Sequence, residues 1–176
     1  LVLDEEGLVV EQDETNNLVH AAVRINKDDP EADLPDLVAI DVEVETLAAL
    51  AGEQIPVALS VQNIGTQPTP KTRLKYYLSD DAKFDGADNY LNYDSVKALD
   101  PSESSPENAN LRIPSATPDG TWFLLFVVDD TSDVAEKLES NNVYSVQIGV
   151  GEAAVAELVG EEEELGEQIL PNLVVV

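Results

Sequence analysis

The chain has 176 residues, 43% of them hydrophobic, with 36 acidic against 9 basic side chains and a formal net charge of -27. That charge opposes nucleic acid and anionic lipid as partners through long-range repulsion, and the absence of cysteine removes disulfides and thiolate metal sites. The hydrophobic content suffices for one complete core but not for two.

Residue 1 is a leucine, opening the apolar run Leu1 to Leu3, and no methionine occurs, so the sequence reads as a segment of a longer chain rather than a natural start with its signal peptide. Residues 1 to 25 align without gaps on residues 126 to 150 at an offset of 125. Asp4 falls on Asp129, Val9 on Val134, Glu11 on Glu136, Glu14 on Glu139, and Asn16 and Asn17 on Asn141 and Asn142. An alternating segment follows each Asn pair, Leu18 to Ile25 in one copy and Val143 to Val150 in the other. A second repeat joins Leu34-Pro35-Asp36-Leu37-Val38 to Leu170-Pro171-Asn172-Leu173-Val174 at an offset of 136. The period matches a sandwich domain rather than a solenoid unit. Residues 1–25 are then the terminal strands of a preceding module, 26–33 a linker, 34–150 a complete module, 151–169 an acidic linker, and 170–176 the first strand of a following module.

Within the complete module the elements read as β throughout. Leu37 to Val44 alternates, and so does Gln54 to Gln62, with Ile55, Val57, Leu59 and Val61 on one face. Asn63-Ile64-Gly65 turns the chain, and Pro68 and Pro70 keep the following connection out of a ladder. In Thr72 to Leu78 the pattern sends Leu74, Tyr76 and Leu78 inward and Lys71, Arg73, Lys75 and Tyr77 outward. Tyr90 to Val96 and Ala109 to Ile113 are shorter candidates. Pro118-Asp119-Gly120 is a turn before Thr121 to Val128, the most apolar and central strand, and Val143 to Val150 closes the module. The fold class is therefore all-β, an immunoglobulin-like Greek-key β-sandwich of about seven strands in a tandem array. Gly151 to Ile169, with Glu161 to Glu164 in a row, reads as an extended linker, and a short helix over Glu152 to Val159 is the alternative.

Several of these motifs, in this order and spacing, resemble the CARDB domain, a cell-adhesion-related module of bacterial and archaeal surface proteins. They are Leu34-Pro35-Asp36-Leu37-Val38, Val61-Gln62-Asn63-Ile64-Gly65-Thr66, Lys75-Tyr76-Tyr77-Leu78-Ser79-Asp80-Asp81, Pro118-Asp119-Gly120-Thr121-Trp122 and the ending Val134-Ala135-Glu136 to Glu139-Ser140-Asn141-Asn142. The resemblance implies a sandwich repeated in large exported proteins, serving adhesion or spacing other domains at an extracellular or cell-surface location. Pro101 to Pro106, with three serines, departs from the family's usual acidic or Pro/Gly-rich turn.

Catalytic constellations lack their parts. The single histidine, His20, lies on an alternating strand, and its counterpart is Ser145, so a zinc or nucleophile-base arrangement is not expected and the chain reads as non-enzymatic. Two acidic clusters are candidates for Ca²⁺, which takes hard oxygen ligands. The first is Asp80, Asp81, Asp85, Asp88 and Asn89 around Gly86; the second is Asp129, Asp130, Asp133, Glu136 and Glu139 between the last two strands. The competing reading of both is carboxylates that accept from loop amides. Asn141 and Asn142 are expected to satisfy backbone groups or adopt left-handed turns. Trp122 is expected to pack in the core. Lys71, Arg73 and Lys75 form a basic stripe on a solvated strand face. The apolar runs, such as Trp122 to Val128, are far short of the ~20 residues of a membrane helix. The remaining partners are neighbouring modules of the same chain, other copies in a head-to-tail assembly, or a glycan or protein ligand.

Overall fold

The structure, a computed structural model, describes residues 33–155. The expected hairpin over residues 1–25, His20 within it, and the expected strand over residues 170–176 lie outside the described residues.

Among the described residues eight strands form two facing sheets: β1 (Leu37–Val44), β2 (Ala48–Ala49), β3 (Gln54–Asn63), β4 (Thr72–Ser79), β5 (Asn89–Val96), β6 (Ser104–Arg112), β7 (Gly120–Val128) and β8 (Val143–Val150). One sheet has the order β1-β3-β6 and the other β2-β8-β7-β4-β5. The crossings from β3 to β4, β5 to β6 and β6 to β7 all pass between sheets, as in an immunoglobulin-like sandwich.

Alternation builds the core. Ile55, Val57, Leu59 and Val61 of β3 face Leu74, Tyr76 and Leu78 of β4 and Leu124, Phe126 and Val128 of β7, all buried in one continuous cluster. Tyr76 meets Phe126 edge to face, with ring centroids 5.8 Å apart. Trp122 is partly buried against this core, and its Nε1 donates to the Pro118 carbonyl at 2.9 Å.

Four features differ from the sequence expectation. β6 begins at Ser104 rather than at Ala109, so Ser104, Ser105 and Pro106 belong to the sheet. Pro106 is tolerated because β6 lies on the sheet edge, where a missing N–H breaks no second ladder. The two-residue β2 makes the count eight: after a bulge between Ile40 and Glu43 the chain leaves the first sheet and pairs parallel with β8, Ala48 against Gly149. Tyr77 does point to the outer face, but it is buried there, in a second cluster with Leu125 and Val127 beneath Phe84 and Phe123. Beyond β8, residues 152–155 are helical, so the segment following Gly151 starts as a helix rather than as extended chain.

The module has two poles. The chain enters where Leu37 pairs with Asn63, and the Pro35 carbonyl accepts from Lys137 N at 2.8 Å. It leaves where Val150 pairs with Gly120 and Gly151 N donates to the Ala49 carbonyl at 3.0 Å. The eight residues of β8 separate these ends by about 25 Å.

Candidate functional sites at the two poles

The two acidic clusters fall at opposite ends. Asp80 to Asn89 connects β4 to β5 at the carboxy-terminal pole, and Asp129 to Glu139 connects β7 to β8 at the amino-terminal pole.

In the first cluster the carboxylates serve the loop itself. Asp81 Oδ1 accepts from Lys83 N at 2.6 Å, Asp85 Oδ1 from Ala87 N at 2.7 Å, and Asp88 Oδ2 from Asp85 N at 2.7 Å. Asp80 and Asn89 are exposed. Phe84 anchors the loop, its ring 4.8 Å from that of Tyr77 on the outer sheet face. The acidic spacing marks the loop in the sequence, and the phenylalanine within it packs the loop onto the sheet.

The second cluster divides by depth. Asp130 is partly buried, and its Oδ2 accepts from Lys75 Nζ at 2.6 Å and from the Tyr77 hydroxyl at 2.9 Å. This bond and burial both push the Tyr77 phenol above its ordinary range, burial being the larger cause. Asp133 is exposed and accepts from the Thr131 hydroxyl, while Glu139 accepts from Glu136 N. Asp129 is buried, accepting from Val134 N and the Thr72 hydroxyl, both at 2.8 Å. Glu136 is also buried: Oε2 accepts from Leu37 N at 2.5 Å and Oε1 from Asn142 Nδ2 at 3.1 Å. Burial is the main cause that pushes the Glu136 carboxyl up to about 7, with the charges of Glu139 and Asp129 adding to it.

The asparagine pair behaves differently from the sequence expectation. Asn141 Nδ2 donates to Asp36 Oδ1 at 2.8 Å and Asn142 Nδ2 to Glu136, so both bind carboxylates, and neither backbone is left-handed. Asp36, 105 residues from Asn141, is the partner that local spacing could not reveal.

Among the described residues no group of three or more His, Cys, Asp or Glu side chains is gathered to hold a metal ion. The basic stripe is divided: Lys75 is committed to Asp130, while Arg73 lies 5.7 Å from the ring centre of the exposed Tyr93. With Lys71, Arg73 lines a cleft of about 330 Å³ that it shares with Asp129, Asp130 and Asp133. A larger open hollow of about 490 Å³ lies on the outer face of the three-stranded sheet, lined by residues including Glu43, Pro56, Ala58, Asn108 and Asn110. No helix among the described residues is long and apolar enough to cross a membrane.

The CARDB family profile matches residues 34–146. The chain belongs to the CARDB family. The CARDB domain of a Pyrococcus furiosus protein, crystallised in complex with di-metal ions, is similar in fold, with 22% identity, a TM-score of 0.52, and 67% of this chain and 94% of that chain covered. A solution NMR structure of the same Pyrococcus furiosus domain has 20% identity and a TM-score of 0.52, covering 67% of this chain and 96% of its own. These CARDB structures share the sandwich with this chain. No curated protein matches the chain.

Proposed function

We propose that this CARDB module is a non-catalytic structural spacer, one repeat of a large extracellular or cell-surface protein. The single observation that carries the reading is the position of the chain ends: Leu37 starts β1 at one pole and Val150 ends β8 at the other. Modules connected in series through opposite poles extend a chain, whereas ends at one pole would fold it back on itself. The internal repeats at offsets of 125 and 136 supply the neighbours on either side, and the net charge of -27 keeps adjoining modules apart. Small-angle scattering on two copies of residues 34–169 fused in series tests this. The maximum dimension should nearly double relative to one copy, and a compact pair of single-module length would overturn the reading. A glycan array probed with the full chain should be silent; reproducible capture of one glycan class would favour the alternative, an adhesive binding module.

A second reading is favoured by the di-metal complex of the Pyrococcus furiosus domain. In it, Ca²⁺ stiffens the carboxy-terminal pole through Asp81, Asp85 and Asp88, with Asp80 or Asn89 completing the shell. As folded, Asp81 and Asp85 satisfy their own loop amides, so binding exchanges those bonds for the ion. Calorimetric titration of the chelator-treated chain with CaCl₂ tests it, with Asp85→Ala expected to remove the share of the binding heat that belongs to this loop.

A further inference from the structure

We infer that the amino-terminal pole is a separate hard-cation site, in which the carboxylates of Asp36 and Glu136 and the side-chain oxygens of Asn141 and Asn142 take Ca²⁺. Two independent observations meet there. The first is uncompensated buried charge: Asp36 is 6% exposed, Asp129 3% and Glu136 6%, and the two salt bridges among the described residues, Lys75–Asp130 and Lys97–Glu103, involve none of the three. Buried carboxylates are ordinarily paired with a cation, bound to a metal or driven toward their neutral form, because desolvation of an unpaired charge is costly. The second is a pair of orphaned acceptors. Asn141 Oδ1 and Asn142 Oδ1 are buried and have no hydrogen-bond partner, and the Asn142 residue is only 6% exposed.

The two observations concern one place. Each amide gives its nitrogen to a carboxylate of the site, Asn141 to Asp36 and Asn142 to Glu136, and the oxygen on the same carbon of each amide is buried and unpartnered. Asp36 and Leu37 are adjacent in sequence, and Glu136 holds the Leu37 N–H, so both carboxylates are bound to the first turn of the module. An internal water would satisfy the amide oxygens but supply no cation to Asp36 and Glu136. A divalent cation answers both. The donors are all oxygen, two charged and two neutral, with no imidazole or thiolate, which is the set for Ca²⁺ rather than for zinc. The metal would tie the start of β1 to the β7–β8 connection at the point where a preceding module is attached.

The test uses the full 176-residue chain, stripped with chelator and titrated with CaCl₂ while ¹H–¹⁵N spectra are recorded. The Leu37 amide and the Asn141 and Asn142 side-chain amides should shift, return with chelator, and stay unmoved in NaCl of equal ionic strength. Glu136→Gln should weaken the response by roughly tenfold or more. Asp85→Ala should leave it intact, which separates this site from the Asp80–Asn89 loop. Unmoved Leu37, Asn141 and Asn142 signals, or shifts confined to the Asp80–Asn89 loop, would overturn the inference. Because the wild-type spectra need no mutation, poor folding of Glu136→Gln leaves the result readable.

Discussion

The side-chain oxygen of Asn63 accepts the backbone N–H of Asp36 at 3.1 Å, joining the start of β1 to the end of β3. The same oxygen accepts from Gly65 N at 3.0 Å, while Nδ2 donates to the carbonyls of Gln67 and Leu99 at 2.7 and 3.2 Å. One fully buried amide thus satisfies two donors and two acceptors from three connections at the amino-terminal pole. Asn63→Ala would strand the Asp36 and Gly65 amides and the Gln67 carbonyl, while the Leu99 carbonyl keeps the Thr69 N–H at 2.9 Å. The expected cost is about 3 kcal/mol or more, because each buried group left unpaired costs about 1–3 kcal/mol. Asn63→Asp should fare little better, since its oxygens would oppose the Gln67 and Leu99 carbonyls. Urea unfolding monitored by tryptophan fluorescence measures both; an Asn63→Ala midpoint equal to wild type would show that the amide is not the hub of this pole.

Gly65 and Gly86 should respond oppositely to alanine. A Cβ on Gly65 would lie 2.5 Å from Asp36 N, Leu34 O and Pro35 C, all backbone that cannot swing away. Gly65→Ala is expected to cost about 1–3 kcal/mol as an overpacking change. Around Gly86 nothing lies within 4 Å, so Gly86→Ala should stay within about 0.5 kcal/mol of wild type. Thermal melting of the two variants side by side decides the matter.

Glu107 faces inward from β6, accepting from the Ser105 hydroxyl at 2.7 Å, and burial, with the Asp94 charge adding, raises its carboxyl above the ordinary range. The folded state therefore holds this proton more tightly than the unfolded state. Its contribution favours folding below the unfolded pKa and is lost as pH rises through the folded value. Glu107→Gln keeps the acceptor and removes the charge. It should melt higher than wild type at pH 8, with the difference shrinking as both are taken to pH 4. A constant difference across that range would exclude Glu107 as its source.

Calcium has a separable effect on stability. Binding only to the folded chain raises stability by about 2.7 kcal/mol when free calcium is a hundred times the dissociation constant. The melting temperature should rise by several degrees in millimolar CaCl₂ and fall back with chelator. Screening of the -27 charge also stabilises, so the reference is NaCl at equal ionic strength. Identical curves in the two salts would remove calcium from both poles.

Phe84 should matter more to the β4–β5 connection than the aspartates around it. Its ring covers Tyr77 on the outer face of the second sheet. Phe84→Ala is expected to cost about 1–3 kcal/mol by uncovering that cluster. Faster hydrogen exchange at Lys83 and Ala87 should accompany the loss, and unchanged exchange would mean that the loop is held by its own Asp turns.

Period-two alternation determined the two sheets in advance, since Ile55, Val57, Leu59 and Val61 can be buried together only in a strand, and the punctuation at Asn63-Ile64-Gly65 and Pro118-Asp119-Gly120 bounded its neighbours. Where local rules failed, long-range geometry overrode them. Pro106 reads as a loop residue until its strand proves to be an edge, and Ala48–Ala49 is too short to announce itself without β8 beside it. The acidic clusters were legible as composition, but not which carboxylates would be buried. Asp36, Glu136, Asn141 and Asn142 are brought together only when the start of β1 is laid against the connection into β8. A sequence records which oxygens a chain carries; burial and mutual distance, which govern what those oxygens can bind, exist only once the sheets have packed.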